Sequence, residues 1–310
     1  MAERVLLTGA TGFVGRAVVA PLAALGFEVH AVAHRASPAA GAAVWHRADL
    51  LDEATARRLV ADVRPALLVH AAWFVEHGRF WTAPENEAWL EASTALAAAF
   101  AEGGGRRILG IGSCAEYADV AQDDHAPWPE TRPVAPATPY GRAKAALAAR
   151  LAALQSRHGR LGCAWARLFH LFGPGEAPGR LVPSVMRALA QGGAAECASG
   201  RPVRDFADIG HVGRALAAVA GSAVTGPVNV ASGEAVAVRD FVQTIGRLAG
   251  RARLLRFGAR ADPPGEVPVM AACVARLRTE VGFTGLARNE VALATLWRSV
   301  VEENGAVGED

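Results

Sequence analysis

RVLLTGATGFVGRAVVAPLAALG, residues 4–26, is the stretch that decides the fold. It begins with a short β-type segment, residues 5–7, passes through a glycine-rich turn and continues as an apolar-periodic helix that ends near the last glycine. Gly9, Gly12 and Gly15 have the spacing GxxGxxG. This spacing lets the backbone turn tightly, approach a pyrophosphate and pack a helix on a strand. The stretch therefore predicts a dinucleotide site.

The segments that follow alternate between strand and helix patterns. FEVHAVAHR (residues 27–35) and PALLVHAAW (residues 65–73) have the character of strands, and a helical pattern follows each of them. Such alternation predicts an α/β fold with a Rossmann-like, doubly wound parallel sheet and a smaller carboxy-terminal substrate-binding lobe. We assign residues 1–168 to the NAD(P)-binding domain and 169–310 mainly to the lobe. Segments near 211–240 are expected to return to the first domain.

Composition and charge exclude several classes of partner. The 310 residues include 32 Lys plus Arg and 30 Asp plus Glu, and no block of like charge is long enough to bind nucleic acid or an anionic membrane. Cys114, Cys163, Cys197 and Cys273 lie far apart, so neither a disulfide framework nor a metal site is predicted. The opening residues lack a signal-peptide pattern. We expect a cytoplasmic protein that binds a small polar ligand.

The tip of the second predicted strand bears on the choice of cofactor. An acidic residue there would bind the ribose 2′-hydroxyl and repel a 2′-phosphate, but the sequence has His34 and Arg35. The forked guanidinium of Arg35 could pair with a 2′-phosphate, which favours NADP(H) over NAD(H). The alternative is a solvated surface arginine, with NAD(H) as the cofactor.

Other cofactor contacts are expected from the glycine-rich turn and the strand ends. After the short third strand, the Asp49 carboxylate could accept from an adenine amine, and Ala71 and Ala72 would let the cofactor ribose come close. The expected cofactor-binding set is Gly9, Thr11, Gly12, Phe13, Val14, Gly15, His34, Arg35, Asp49, Leu50, Ala71, Ala72, Tyr140 and Lys144.

TPYGRAKAAL holds the candidate acid and base. Tyr140 and Lys144 are four residues apart at the start of a predicted helix and so share one face. A neighbouring ammonium favours the phenolate and eases proton exchange. Ser113, at the end of the strand RRILGIGS, could hydrogen-bond a substrate oxygen beside the nicotinamide. A surface helix pair is the alternative for Tyr140 and Lys144 taken alone.

The chain contains the motifs TGATGFVG, VHAA, GSCAEY, PYGRAK, ARLFHLFGP and RPVRDFADI. Through these motifs it resembles the extended short-chain dehydrogenase/reductase family, in its nucleotide-sugar branch. The resemblance implies that the residue four before Tyr117, which is Ser113, assists catalysis, and that Cys114 packs in the core. Some epimerases of the family use a cysteine, and its 4,6-dehydratases an acid, at the position that is Ala115 here. Glu116 comes one position too late and should face differently.

The resemblance also implies a substrate side in the second half of the chain. Arg204 is expected to contact phosphate and Arg180 is a second candidate, although either could be a solvated surface residue. Trp73, Phe74 and Trp81 could wall a sugar pocket or pack in the core. The expected substrate-binding residues are Trp73, Ser113, Cys114, His170, Arg180 and Arg204. The chain departs from the family at four positions, His170, Trp89, Cys273 and His211.

These observations predict an NADP(H)-linked reductase that converts a 4-keto-6-deoxy nucleotide sugar to its 4-hydroxy product. The same three residues, Ser113, Tyr140 and Lys144, would also serve a nucleotide-sugar epimerase that retains NAD. A non-catalytic nucleotide sensor on the same sheet is a third possibility, for which loss of the tyrosine or lysine would be expected. The family commonly dimerises, so a homodimer is expected.

Overall fold

The computed structural model describes residues 2–34, 41–118 and 126–306, so Arg35 lies outside the described residues. In chain order the described strands are β1 (Arg4–Thr8), β2 (Glu28–Ala33), β3 (Ala43–Arg47), β4 (Leu67–His70), β5 (Arg107–Ser113), β6 (Gly162–Leu168), β7 (His170–Phe172), β8 (Ala195–Cys197), β9 (Val203–Asp208), β10 (Gly226–Val230), β11 (Ala235–Ala237), β12 (Leu255–Phe257) and β13 (Val269–Met270).

The described helices are α1 (Gly15–Ala24), α2 (Glu53–Val63), α3 (Glu85–Glu102), α4 (Pro139–Arg157), α5 (Leu181–Ala190), α6 (Ile209–Gly221), α7 (Val238–Leu248), α8 (Ala275–Thr279) and α9 (Asn289–Ala306). Short 3-10 turns follow β5 and precede β12, at Cys114–Glu116 and Ala252–Leu254. In the part of the chain described, no helix is long and apolar enough to cross a membrane.

A seven-stranded parallel sheet forms the large layer, in the order β10-β6-β5-β4-β1-β2-β3. Side chains alternate across it as strand geometry requires. Val5 and Leu7 of β1 belong to a core cluster with α1 and α6, whereas Leu6 belongs to a second cluster with α2, α3 and α4. Helices cover both faces, so the predicted Rossmann-like α/β fold is confirmed.

The later part of the chain forms a smaller structure with a core of its own. Strand β9 pairs with β11, β13 and β7, and β8 pairs with β12. Phe172, Met186, Phe206 and Phe241 lie in the core between these strands and helices α5, α7 and α9. Strand β10 nevertheless returns to the large sheet as its edge strand beside β6.

Candidate active site

A cavity of about 880 Å³ lies where the carboxyl ends of β1, β4, β5 and β6 meet. This edge is where open parallel sheets bind their ligands. The predicted site residues that line it are Gly9, Thr11, Gly12, Phe13, Val14, Gly15, Ala71, Ala72, Trp73, Trp81, Ser113, Cys114, Tyr140, Lys144, His170, Arg180 and Arg204. The fold therefore brings residues from six distant segments of the sequence to one cavity.

The glycine-rich turn is built without room for side chains. Gly9 has a φ of +66°, a conformation that favours glycine, and a Cβ there would lie 2.7 Å from the backbone nitrogen of Ala72. A Cβ on Gly15 would lie 2.2 Å from the carbonyl oxygen of Gly9. The N–H of Gly12 donates to that same oxygen at 2.9 Å. Helix α1 begins here with no side-chain cap on Val14, so its first N–H groups fit a pyrophosphate.

Buried polar residues fix the other wall of this cradle. Thr8 Oγ accepts from the backbone N–H groups of Ala71 and Ala72, at 3.2 Å each. Its hydrogen is then free to be donated to His70 Nδ1 at 2.8 Å, which leaves His70 Nε2 to donate to Ser93 at 2.8 Å. Burial and, to a smaller extent, the charge of nearby Lys144 lower the pKa of His70 to about 3. The imidazole is therefore a neutral structural link.

Lys144 is held in a nearly closed environment. Its side chain donates to the carbonyl oxygen of Ile111 at 2.9 Å, and its Nζ lies 3.7 Å from the centre of the Trp73 ring. The residue is 4 % exposed. Burial lowers the pKa of Lys144 to about 7, and the carboxylate of Glu116 acts in the opposite direction. The ring of Trp73, expected at the sugar, is thus already in contact with the ammonium group.

Tyr140 lies between aromatic rings and the Ser113 hydroxyl. Phe80 and Trp81 contact its ring edge to face, with centroids 4.9 and 5.7 Å away. Burial raises the pKa of Tyr140, and a hydrogen bond with the Ser113 side chain lowers it by a smaller amount. The sequence suggested that the ammonium four residues on would favour the phenolate. In the structure burial dominates, and the phenol stays protonated at neutral pH.

Cys114 has the environment of a buried structural thiol. It lines the cavity but is largely buried, and its Sγ lies 3.4 Å from Met270 Sδ. Burial raises the pKa of Cys114 to about 12. Thiolates rather than thiols are reactive, so this group is poorly suited to proton transfer near neutral pH.

Arginines and a histidine cluster on the substrate side of the cavity. Arg204 is buried and donates to Glu266 at 2.9 Å and to the carbonyl oxygen of Val203 at 2.8 Å. Burial and, to a smaller extent, the charges of Arg204 and Arg180 lower the pKa of His170 to about 3. His170 is therefore a neutral hydrogen-bonding group beside two cations.

Sequence reasoning did not single out Glu176. It lines the cavity, its side chain is almost entirely buried, and its carboxylate lies 3.4 Å from Arg180 Nε. Burial raises the pKa of Glu176 to about 7. Its spacing of four residues from Arg180 in GEAPGR was a weak sequence signal.

The expected adenosine contacts lie apart from the cavity lining. His34 Nε2 and Asp49 Oδ2 are 3.7 Å apart, and both side chains are more than half exposed. Asp49 also accepts from the backbone N–H of Leu51 at 3.0 Å, and Leu50 is buried in the core beside α2. Both His34 and Asp49 follow the carboxyl ends of neighbouring strands, β2 and β3.

Several residues weighed in the sequence do not line the cavity. Phe74 lies beneath Arg79, with 5.5 Å between the guanidinium carbon and the ring centre, and Trp89 packs beside Trp73. His211 Nε2 lies 3.2 Å from the carbonyl oxygen of Ala231, and Cys273 donates its N–H to Trp128. Of the four departures from the family pattern, therefore, only His170 lines the cavity. No group of three or more His, Cys, Asp or Glu that could hold a metal is found among the described residues.

The lysine content of the chain also marks this site. Lys144 is the only lysine of the 310 residues, and every other member of the 32 Lys plus Arg is an arginine. Arginine remains charged in proteins, whereas a lysine changes its pKa readily on burial. A single lysine in such a chain indicates a position that needs a cation whose pKa can be lowered, which arginine does not provide.

The matches to known proteins agree with this geometry. A profile of the NAD-dependent epimerase/dehydratase family matches residues 5–231. The chain is 32 % identical, over 260 residues and 78 % of each chain, to a dTDP-6-deoxy-L-talose 4-dehydrogenase (NAD(P)(+)) of Kitasatospora kifunensis.

Two solved structures share its fold. The UDP-glucose 4-epimerase of Thermotoga maritima, with UDP-glucose, has a TM-score of 0.85 at 19 % identity, covering 98 % of this chain and 100 % of that one. The dTDP-glucose 4,6-dehydratase DesIV of Streptomyces venezuelae, with NAD, has a TM-score of 0.83 at 21 % identity, and the match covers 98 % of both chains. The chain therefore belongs to the NAD-dependent epimerase/dehydratase family of the extended short-chain dehydrogenases/reductases.

Proposed function

We propose that this enzyme reduces the 4-keto group of a 4-keto-6-deoxy nucleotide sugar, with NADPH as the reductant. The observation that carries the proposal is the meeting of Ser113, Tyr140 and Lys144 in one cavity with the glycine-rich turn. The relative from Kitasatospora kifunensis supports the choice of substrate, because its name places the oxidation at carbon 4 of a dTDP-linked 6-deoxy sugar.

The protein side chains would divide the work as follows. The bound cofactor supplies the hydride. Ser113 donates a hydrogen bond to the carbonyl oxygen and orients it, as an oxyanion site does. Tyr140, which burial keeps protonated, gives its proton to the oxygen as negative charge develops there. The Nζ atom of Lys144 lies 5.9 Å from the centre of the Tyr140 ring. Its ammonium holds the cofactor ribose and stabilises the phenolate that remains.

Glu116 argues against a 4,6-dehydratase. The family's dehydratases carry their acid in the serine motif, and Glu116 does not supply it, because it is fully buried, is bound to Trp165 and Arg167, and does not line the cavity. Ala115 occupies the position where the resemblance implies an acid in the dehydratases.

On the substrate side, we assign Arg204 and Arg180 to the diphosphate and His170 to a neutral hydrogen bond with the sugar. Arginine suits phosphate because its planar fork can bind two oxygens. We assign Arg35, with His34 beside it, to the 2′-phosphate of NADPH. Asp49 then binds the adenine rather than the ribose 2′-hydroxyl.

The test follows the absorbance of NADPH and NADH with the purified protein and 4-keto-6-deoxy-glucose linked to dTDP or to UDP. We expect stoichiometric loss of NADPH, faster than loss of NADH, and a 4-hydroxy product. Arg35→Ala should remove the preference for NADPH and leave NADH oxidation unchanged. Inversion of fully hydroxylated nucleotide sugars without net cofactor loss would establish an epimerase instead. Absence of both reactions would refute the proposal.

A further inference from the structure

A carboxylate is enclosed directly behind the candidate serine. Glu116 ends the 3-10 turn that follows β5, and it has no solvent exposure. One of its oxygens accepts from the backbone N–H of Ser113 at 2.8 Å. The Ser113 hydroxyl in turn accepts from the N–H of Ala115 at 3.2 Å. These two bonds form a capping box that fixes both the backbone and the side chain of Ser113.

Strand β6 supplies the groups that hold this carboxylate in place. Trp165 Nε1 lies 2.9 Å from each of its oxygens, and Arg167 Nε donates to it at 2.9 Å. Trp165 and Arg167 are two residues apart on β6 and so face the same side. The arginine and two further donors therefore pair and hydrogen-bond this buried carboxylate, as a buried carboxylate requires.

The glycines of β5 leave the space that this arrangement needs. Gly112 pairs with Arg167 across the two strands. A Cβ on Gly112 would lie 2.5 Å from a Glu116 oxygen and 2.2 Å from Trp165 Nε1. The GIGS sequence of the strand is therefore shaped around the carboxylate as well as ending in the serine.

The charge of Glu116 reaches the lysine of the site. It raises the pKa of Lys144 against the effect of burial. The other groups around Lys144 carry no negative charge near neutral pH. They are the Ile111 carbonyl oxygen, the Trp73 and Tyr140 rings, and the neutral His70, whose own pKa is lowered by Lys144.

We propose that Glu116 is a positioning residue, which fixes Ser113 and balances the charge of Lys144 from behind strand β5. This inference rests on the proposed function for its catalytic consequence. Glu116 touches neither the cavity nor the reacting atoms, and acts only through Ser113 and Lys144.

The single lysine makes a direct test possible. In protein labelled with [ε-13C]lysine, one side-chain signal reports the titration of Lys144 without substrate or cofactor. Glu116→Gln keeps an oxygen that can accept from Ser113 but removes the charge. We expect the titration midpoint of Lys144 to move to lower pH by about one unit or more. Glu102→Gln is the matched control, because Glu102 forms an exposed ion pair with Arg57 on the surface. It should leave the midpoint unchanged.

Steady-state kinetics test the positioning of Ser113. Glu116→Gln should lower kcat by about 10-fold or more with little change in KM, and Glu116→Asp should restore part of the loss because it restores the charge. If Glu116→Gln does not fold, Glu116→Gln combined with Arg167→Gln removes both charges, as buried pairs often tolerate. The Lys144 midpoint should still fall, but by less, because a positive charge is lost as well.

The two possible failures are distinguishable. An unchanged Lys144 midpoint in folded Glu116→Gln overturns the inference, as does an equal loss of activity in Glu116→Gln and Glu116→Asp. Absence of cofactor oxidation by the unsubstituted protein overturns the proposed function, and with it the kinetic part of the inference.

Discussion

Replacing Trp73 should change the charge of Lys144. The ammonium lies 3.7 Å from the centre of the Trp73 ring, and both residues are nearly buried. A desolvated cation over an indole face is stabilised by about 2 kcal/mol. Because 1.36 kcal/mol corresponds to a tenfold change, loss of the ring should shift the protonation equilibrium of Lys144 by about 30-fold.

The direction follows from which form the ring stabilises. The indole stabilises the charged form, so its removal lowers the pKa of Lys144, which burial already holds at about 7. At pH values above the midpoint, Trp73→Leu should therefore contain about 30-fold less charged Lys144 than the unsubstituted protein. If the ammonium is needed for reduction, the alkaline limb of the pH profile of kcat/KM should move to lower pH by the same amount as the Lys144 midpoint.

Trp73→Phe is the matched comparison. Both variants lose the hydrogen bond that Trp73 Nε1 donates to Asn86 at 2.9 Å, but Phe keeps an aromatic face and Leu does not. The assay is the titration of the single labelled lysine, followed by NMR without ligands. We expect the midpoints to fall in the order Trp, Phe, Leu. Equal midpoints for Phe and Leu would refute the argument from the aromatic face.

Three further experiments test the site. Tyr140→Phe should lower turnover by about 10²-fold or more and leave cofactor affinity intact, as single-turnover kinetics and NADPH fluorescence would show; unchanged turnover would exclude the phenol as the acid. Ser113→Ala should reduce kcat by about 10²-fold while Cys114→Ala retains most of it, and the reverse order in the same steady-state assay would assign the chemistry to the thiol. Gly9→Ala should abolish NADPH binding, because its Cβ would lie 2.7 Å from backbone atoms. The control Gly26→Ala, at φ +86° with nothing within 4 Å, should bind NADPH normally and lose only about 1 kcal/mol of stability. Equal NADPH binding by the two variants would contradict the role of the glycine-rich turn.

Local pattern predicted the glycine-rich turn and the pairing of Tyr140 with Lys144, and the structure places these residues and Ser113 in one cavity, while their chemical roles stay predictions. The turn depends on a strand, three glycines and a helix that adjoin in sequence, and Tyr140 and Lys144 share a helix face because they are four residues apart. The alternation argument for Glu116 gave the right outcome for a different reason. The residue lies in a 3-10 turn rather than in a strand, and it is directed behind β5 by Trp165 and Arg167.

The protonation states could not be read from the sequence. The spacing of Tyr140 and Lys144 suggested an ammonium that favours a phenolate, but both pKa values are governed first by burial. Burial depends on side chains such as Phe80, which approaches the Tyr140 ring from another segment of the chain.

The sequence by itself determined the α/β class, the glycine-rich turn and the identity of the candidate acid, because these depend on residues within one or two turns of each other. Only the tertiary structure decided that Glu116 is enclosed by Trp165 and Arg167, that Trp73 contacts Lys144, and that Glu176 belongs to the cavity. Those relations join residues that are close in space through the packing of β5, β6 and the segments after them. Electrostatic and cation–π energies depend on distance and burial, and the fold alone sets both.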